Sequence, residues 1–229
     1  MPLTGSCCEI VHTVASGCPA LDSLLAGGLE TDATTLVFGE AGSGKTNFAL
    51  QVVREVLRNG KRVAYVDTEG VSPVRIRQLI GEDDALLERL LFYSPYSIAE
   101  QERMVRKTTL LQDLGLIVVD SVNMHYRLHL DTEDGEKVAS KSLFAQLHHL
   151  TSFARKQGVP VLITGQVYGA EDTTQPFARR VMEHLVKALV RFDKRPDGSR
   201  RATLLKHRSL PEGLQARFRI TQDGLEDVA

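Results

Sequence analysis

Residues Gly39-Glu40-Ala41-Gly42-Ser43-Gly44-Lys45-Thr46 fit the pattern G-x-x-x-x-G-K-[ST]. Spacing of this kind suits the binding of phosphate. Glycines let the backbone turn so that N–H groups face inward, and a helix opening at the loop's end adds partial positive charge. The nucleotide-binding set expected here runs from Gly39 to Asn47, with Lys45 reaching the β- and γ-phosphates and Thr46 ligating Mg²⁺. A second metal carboxylate is needed at the end of a buried strand. Leu116-Ile117-Val118-Val119-Asp120 supplies it, so Thr46 and Asp120 are the candidate Mg²⁺ residues. Hydrolysis also needs a base beside the γ-phosphate. Glu69, in Asp67-Thr68-Glu69-Gly70, is suited to polarise the attacking water. The plainer reading of Glu69 is a carboxylate capping the helix that begins near Ser72. Gln166 is suited to sense the γ-phosphate through its amide, and equally to end a strand. The guanine-reading pattern N-K-x-D is absent, which points to ATP by omission.

These residues must be held at strand ends. Strands are predicted at 34–38, 62–67, 90–93, 116–119 and 159–164, and helices at 45–59, 73–80, 83–89, 97–113 and 137–157. Strands separated by helices imply parallel pairing through right-handed crossovers. The end of the chain differs. Segments 186–194 and 201–206 read as strands joined by a turn containing Pro196-Asp197-Gly198, and 215–220 as a last strand. The expected fold is α/β: a mainly parallel twisted sheet flanked by helices, with antiparallel C-terminal strands, forming one domain over residues 1–229.

Composition narrows the class without choosing a function. The 229 residues are 42% hydrophobic and 25% charged, which excludes disorder, collagen and coiled coil. The three cysteines, Cys7, Cys8 and Cys18, form neither a disulfide frame nor a zinc pattern. No apolar run approaches the ~20 residues that cross a bilayer, and no secretory leader is visible, so a cytoplasmic protein with no membrane partner is expected. The 28 basic and 29 acidic residues nearly cancel, yet residues 176–208 hold ten basic side chains against three acidic ones. A local basic segment on a neutral chain suggests a polyanion site.

Taken jointly, the motifs resemble the RecA/RadA recombinase family and its short archaeal paralogues. The segment from Val14 to Glu30 is similar to that family's entry to the core. Tyr65-Val66-Asp67-Thr68-Glu69-Gly70 is similar to its catalytic-glutamate strand, and Asp120-Ser121 to its second phosphate motif. Ile163-Thr164-Gly165-Gln166-Val167 resembles T-N-Q-V, and the stretch Lys206 to Gly213 with Phe218-Arg219-Ile220 resembles the paralogues' C-terminal signature. The resemblance implies a RecA-like P-loop ATPase core, with Glu69 as general base, Gln166 as a switch toward the DNA loops and Lys45 as a third catalytic residue. Lys206 and Arg208 match cations that act in trans on a neighbour's phosphates. The core begins near Val14, so RadA's N-terminal helical DNA-binding domain is expected to be missing. The second loop, from Tyr168 to about Ala178, is short and holds Glu171 and Asp172, and Gly165 replaces the usual asparagine.

DNA contacts are expected at Arg127 and at the hairpin cations Lys194, Arg195, Arg200 and Arg201, without sequence preference. Tyr126, Tyr168 and Phe177 are candidates for base stacking, with core or rim packing the plainer reading. The function expected is an ATP- and DNA-binding accessory of homologous recombination and DNA repair, with ATP and Mg²⁺ as cofactors, weak hydrolysis and no independent strand exchange. The implied partners are DNA, a RadA-type recombinase and a Holliday-junction resolvase. The alternative is a KaiC-like regulatory module in which ATP switches a protein interface; a DNA-stimulated strand-exchange motor is a third reading.

Overall fold

The computed structural model describes residues 12–129, 132–167, 182 and 184–228. The elements, in chain order, are β1 (Thr13–Val14), α1 (Pro19–Leu24), β2 (Leu29–Glu30), β3 (Thr34–Gly39), α2 (Lys45–Arg58), β4 (Arg62–Asp67), α3 (Pro73–Ile80), α4 (Asp84–Leu87) and β5 (Leu90–Tyr93). They continue with α5 (Ile98–Thr108), β6 (Leu114–Asp120), α6 (Met124–Arg127), α7 (Glu133–Gln157), β7 (Val161–Gln166), β8 (Ala188–Lys194), β9 (Arg200–Lys206), β10 (Gln215–Ile220) and β11 (Leu225–Asp227).

Nine strands form one sheet in the order β11-β10-β9-β8-β3-β7-β6-β4-β5. The run from β8 to β5 is parallel, and β9, β10 and β11 extend it antiparallel. Successive side chains on a strand point to opposite faces. Val37, Val63, Tyr65, Leu116, Val118 and Leu162 therefore join one core with α1, α2 and α3. Leu36, Phe38, Ala64, Val66, Ile117, Val119 and Ile163 join a second core with α5 and α7. A sheet covered by helices on both faces explains why its strands read as nearly continuous apolar runs. Among the described residues, no helix is long and apolar enough to cross a membrane.

The helix α2 buries Phe48, Ala49, Val52, Val53, Val56 and Leu57, the residues whose spacing predicts it. Below the phosphate loop an aromatic chain runs Phe48–Phe192–Phe218, with ring centroids 5.7 and 4.8 Å apart. One polar clasp ties α2 to the far edge strand. The buried Gln51 amide accepts from Leu225 N (2.6 Å) and donates to Leu225 O (3.2 Å). Removing it leaves both backbone groups of Leu225 unpaired beside the core. The Gln51→Leu variant is expected to lose about 1–3 kcal/mol in urea denaturation, and a loss under about 0.5 kcal/mol contradicts the assignment.

Candidate nucleotide site

The phosphate loop leaves the C-terminal end of β3, which lies between β7 and β8. Ligands in open parallel sheets sit at that edge. Gly39 has no room for a side chain, since a Cβ there would meet the Phe192 carbonyl oxygen at 2.2 Å. Gly44 caps α2 with φ at 107°, a conformation that disfavours any other residue. No side chain caps the start of this 14-residue helix, so its first N–H groups have no side-chain acceptor. The Ser43 hydroxyl is buried in the loop with no hydrogen-bond partner. Lys45 is 6% exposed, and its ammonium donates to the carbonyls of Gly39 and Glu40, both at 3.0 Å. Burial lowers the Lys45 pKa, while the negative charges of Glu69 and Asp120 oppose that shift.

Asp120 ends β6 and is fully buried. Burial raises its pKa, opposed by hydrogen bonds from Thr164, Tyr65 and Thr46. Tyr65 donates to Asp120 Oδ2 at 2.7 Å, and the Thr164 hydroxyl donates to Asp120 Oδ1. The structure therefore brings Thr46 and Asp120 together, a hard-oxygen pair of the kind that holds Mg²⁺ jointly with substrate phosphates. Among the described residues no three His, Cys, Asp or Glu side chains cluster to hold a metal alone. A site of this type needs no such cluster, because the ligand's own oxygens fill the remaining positions. The orphaned Ser43 hydroxyl, the uncapped α2 and the Thr46–Asp120 pair all fit a magnesium nucleotide.

The neighbouring strand ends carry the reactive groups. Asp67 accepts from the backbone N–H groups of Glu69, Gly70 and Val71 at 3.1, 2.9 and 2.8 Å. That turn presents Glu69 to the open side of the site. Gln166 Nε2 donates to Glu69 Oε1 at 2.8 Å, and Arg127 Nη1 donates to Gln166 Oε1 at 2.8 Å. The amide, at the end of β7, thus bridges an anion from the turn after β4 and a cation from α6. Asn123 fixes it from behind, accepting from Gln166 N (3.1 Å) and donating to Gln166 O (2.9 Å).

The described parts of the sequence-derived sets fall into three groups. Glu69, Gln166, Lys45, Thr46 and Asp120 converge on one edge. Asn47 is adjacent, its side chain accepting from Arg75 Nε at 2.7 Å. Lys206 and Arg208 lie away from this chain's own phosphate loop. Lys206 Nζ donates to Val186 O at 3.0 Å, and Arg208 binds Asp32 at 2.6 Å and Glu30 at 2.8 Å. Those partners precede β3 and β8, at the opposite sheet edge. Of the expected DNA cations, Arg201 pairs with Asp193 at 3.1 Å, Arg195 is exposed, and Lys194 and Arg200 lean on the phosphate loop. Tyr126 is a core residue, 3% exposed and hydrogen-bonded to Ser140, which is the plainer packing reading and not base stacking. Tyr168, Phe177, Glu171, Asp172, Cys7 and Cys8 lie outside the described residues. Sequence reading missed Tyr65, Asn123, Thr164 and Arg75 as supports. Tyr65 and Thr164 sit on strands already recognised, but neither position carries a polar signal distinguishable from strand propensity.

The Rad51 family model matches residues 8–228. The chain belongs to the Rad51 family. Its Rad51-family relatives include the "DNA repair and recombination protein RadB" of Methanococcoides burtonii, 40% identical over 94% of this chain and 98% of that protein. The protein of the same name from Thermoplasma acidophilum is 38% identical over 94% of both chains. That from Thermococcus kodakarensis is 39% identical over 94% of this chain and 99% of that one. A solved structure described as "Crystal structure of the RadB recombinase" superposes with a TM-score of 0.82 at 37% identity. It covers 95% of this chain and 100% of its own. The fold is RecA-like, and each of these relatives carries the name RadB.

Proposed function

We propose that this chain binds ATP with Mg²⁺ and hydrolyses it slowly, binds DNA without sequence preference, and assists homologous recombination and DNA repair without exchanging strands itself. The carrying observation is the convergence of Lys45, Thr46, Asp120, Glu69 and Gln166 at the C-terminal edge of β3, β4, β6 and β7 in a chain whose relatives are named for DNA repair and recombination. Lys45, already desolvated in the loop, exchanges two carbonyl acceptors for phosphate oxygens. Magnesium, when bound, neutralises phosphate charge and polarises the transferred group. Glu69 orients and deprotonates the attacking water, and Gln166 holds Glu69 in place. Arg127 ties that amide to α6, so an anion that draws Arg127 away also frees Glu69. Lys206 and Arg208 serve a second copy's phosphates, because they face the edge opposite their own loop.

On this reading the DNA face uses Arg127, Arg195 and Arg201. The partners are a RadA-type recombinase and a Holliday-junction resolvase. Fluorescence anisotropy with single-stranded DNA tests this at low and moderate salt. Binding is expected to weaken steeply as salt rises, because phosphate contacts release counterions. Absence of binding at both salts removes the DNA role. One observation favours a second reading, a KaiC-like module in which ATP switches a protein interface. Arg127, Lys194, Arg200 and Arg201 are all engaged by groups of their own chain. Nucleotide-dependent capture of purified recombinase with no effect of DNA selects that reading.

A further inference from the structure

We propose that Lys194 and Arg200 are a cationic arm of the nucleotide site, acting in cis: they brace the apex of the phosphate loop and meet the negative charge of a bound nucleoside triphosphate. The inference deepens the nucleotide reading above and rests on it.

Register places them there. β8 runs parallel to β3 with Phe192 opposite Gly39, so the next two residues of β8 rise beside the phosphate loop. Lys194 pairs with Arg200 across the β8–β9 hairpin, which puts both cations on that same edge. A Cβ on Gly42 would lie 3.4 Å from Lys194 Nζ. Arg200 Nη2 donates to the Gly42 carbonyl at 3.3 Å. Across that same peptide the Ser43 N–H donates to Glu40 O at 3.2 Å, so Arg200 and this turn together fix the Gly42–Ser43 peptide at the loop's apex.

Charge points the same way. Lys45, Lys194 and Arg200 crowd one loop, and the positive charge of Lys194 contributes to lowering the Lys45 pKa. Among the described residues Lys194 has only Glu40 for a partner in an ion pair, at 3.8 Å and with both side chains well exposed. Exposed pairs of this kind are weak and easily exchanged. Arg200 Nε is buried without an acceptor. Lys194, held by one exposed ion pair, and Arg200, with its Nε unpaired, sit beside a third cation on the rim of an anion cradle and match a polyphosphate tail.

The test compares Lys194→Ala, Lys194→Gln, Arg200→Ala and Arg200→Lys with wild type, with Lys156→Ala as a charge-loss control at the C-terminal end of α7. Two titrations are run on the full chain: a fluorescent N-methylanthraniloyl ATP with Mg²⁺, and labelled single-stranded DNA without nucleotide. Each alanine variant is expected to raise the nucleotide Kd by about tenfold or more, as for a lost charge-assisted hydrogen bond. Arg200→Lys recovers only part of it, because an ammonium lacks the planar fork. DNA affinity is expected to stay within about twofold of wild type, as is the nucleotide Kd of Lys156→Ala. Nucleotide affinity unchanged in both alanine variants overturns the proposal, whether DNA affinity falls or not. Wild type that binds no nucleotide overturns the parent reading instead.

Discussion

Lys45→Ala is expected to abolish nucleotide binding at working concentrations. Its ammonium is the one positive group inside the loop, 6% exposed and already stripped of water. Truncating one partner of a buried charge pair costs about 2–5 kcal/mol, which raises Kd by roughly 30- to 5,000-fold. The fold should survive. The loop's shape also rests on Gly39 against Phe192 and on the aromatic chain beneath it, and neither depends on the ammonium. Calorimetric titration with ATP and Mg²⁺, beside a thermal melt, reads both. A Kd within about threefold of wild type would remove the site assignment.

Glu69→Gln is expected to lower turnover by about 10²- to 10⁴-fold while leaving nucleotide affinity within a few-fold. The substitution keeps the length of the side chain, and its carbonyl oxygen still accepts from Gln166 Nε2, now 2.8 Å from Glu69 Oε1. Only basicity is lost. If Glu69 were merely a loop carboxylate, turnover would not change. Single-turnover hydrolysis under saturating ATP separates this from a binding defect, and a loss under about fivefold contradicts the role of base.

Much of this geometry was legible in the residues. Short apolar runs bounded by polar residues mark strands, so 62–67 and 90–93 coincide with β4 and β5, and Pro73 fixes the start of α3. Other boundaries were blurred for physical reasons. The helix expected to reach 113 ends at Thr108, where the hydroxyls of Thr108 and Thr109 bond back to carbonyls three residues earlier. Leu110 mimicked continued periodicity, yet it is exposed. The long helix starts at Glu133 rather than 137, because Thr132 caps it at Gly135 N and the acidic first turn has no apolar stripe. α1 and β11 are too short to show a period.

In the site, the loop and Asp120 were readable because each is a contiguous pattern. The contact of Glu69 with Gln166 spans 97 positions and has no local signature. The hairpin cations stand out in the sequence by charge alone, and strand register adds that Lys194 and Arg200 lie beside the phosphate loop.

The position of β3 has a mechanical consequence. All six of its residues pair with β7, and five pair with β8 on the other flank. The floor under an incoming ligand is therefore a seat paired on both flanks, while the turn after β4, the Gln166 amide at the end of β7 and the β8–β9 hairpin form the collar above it. Tight holding belongs to the seat. On the proposed function, the expected consequence is that a partner touching only the collar changes the rate of turnover while the floor stays as it is.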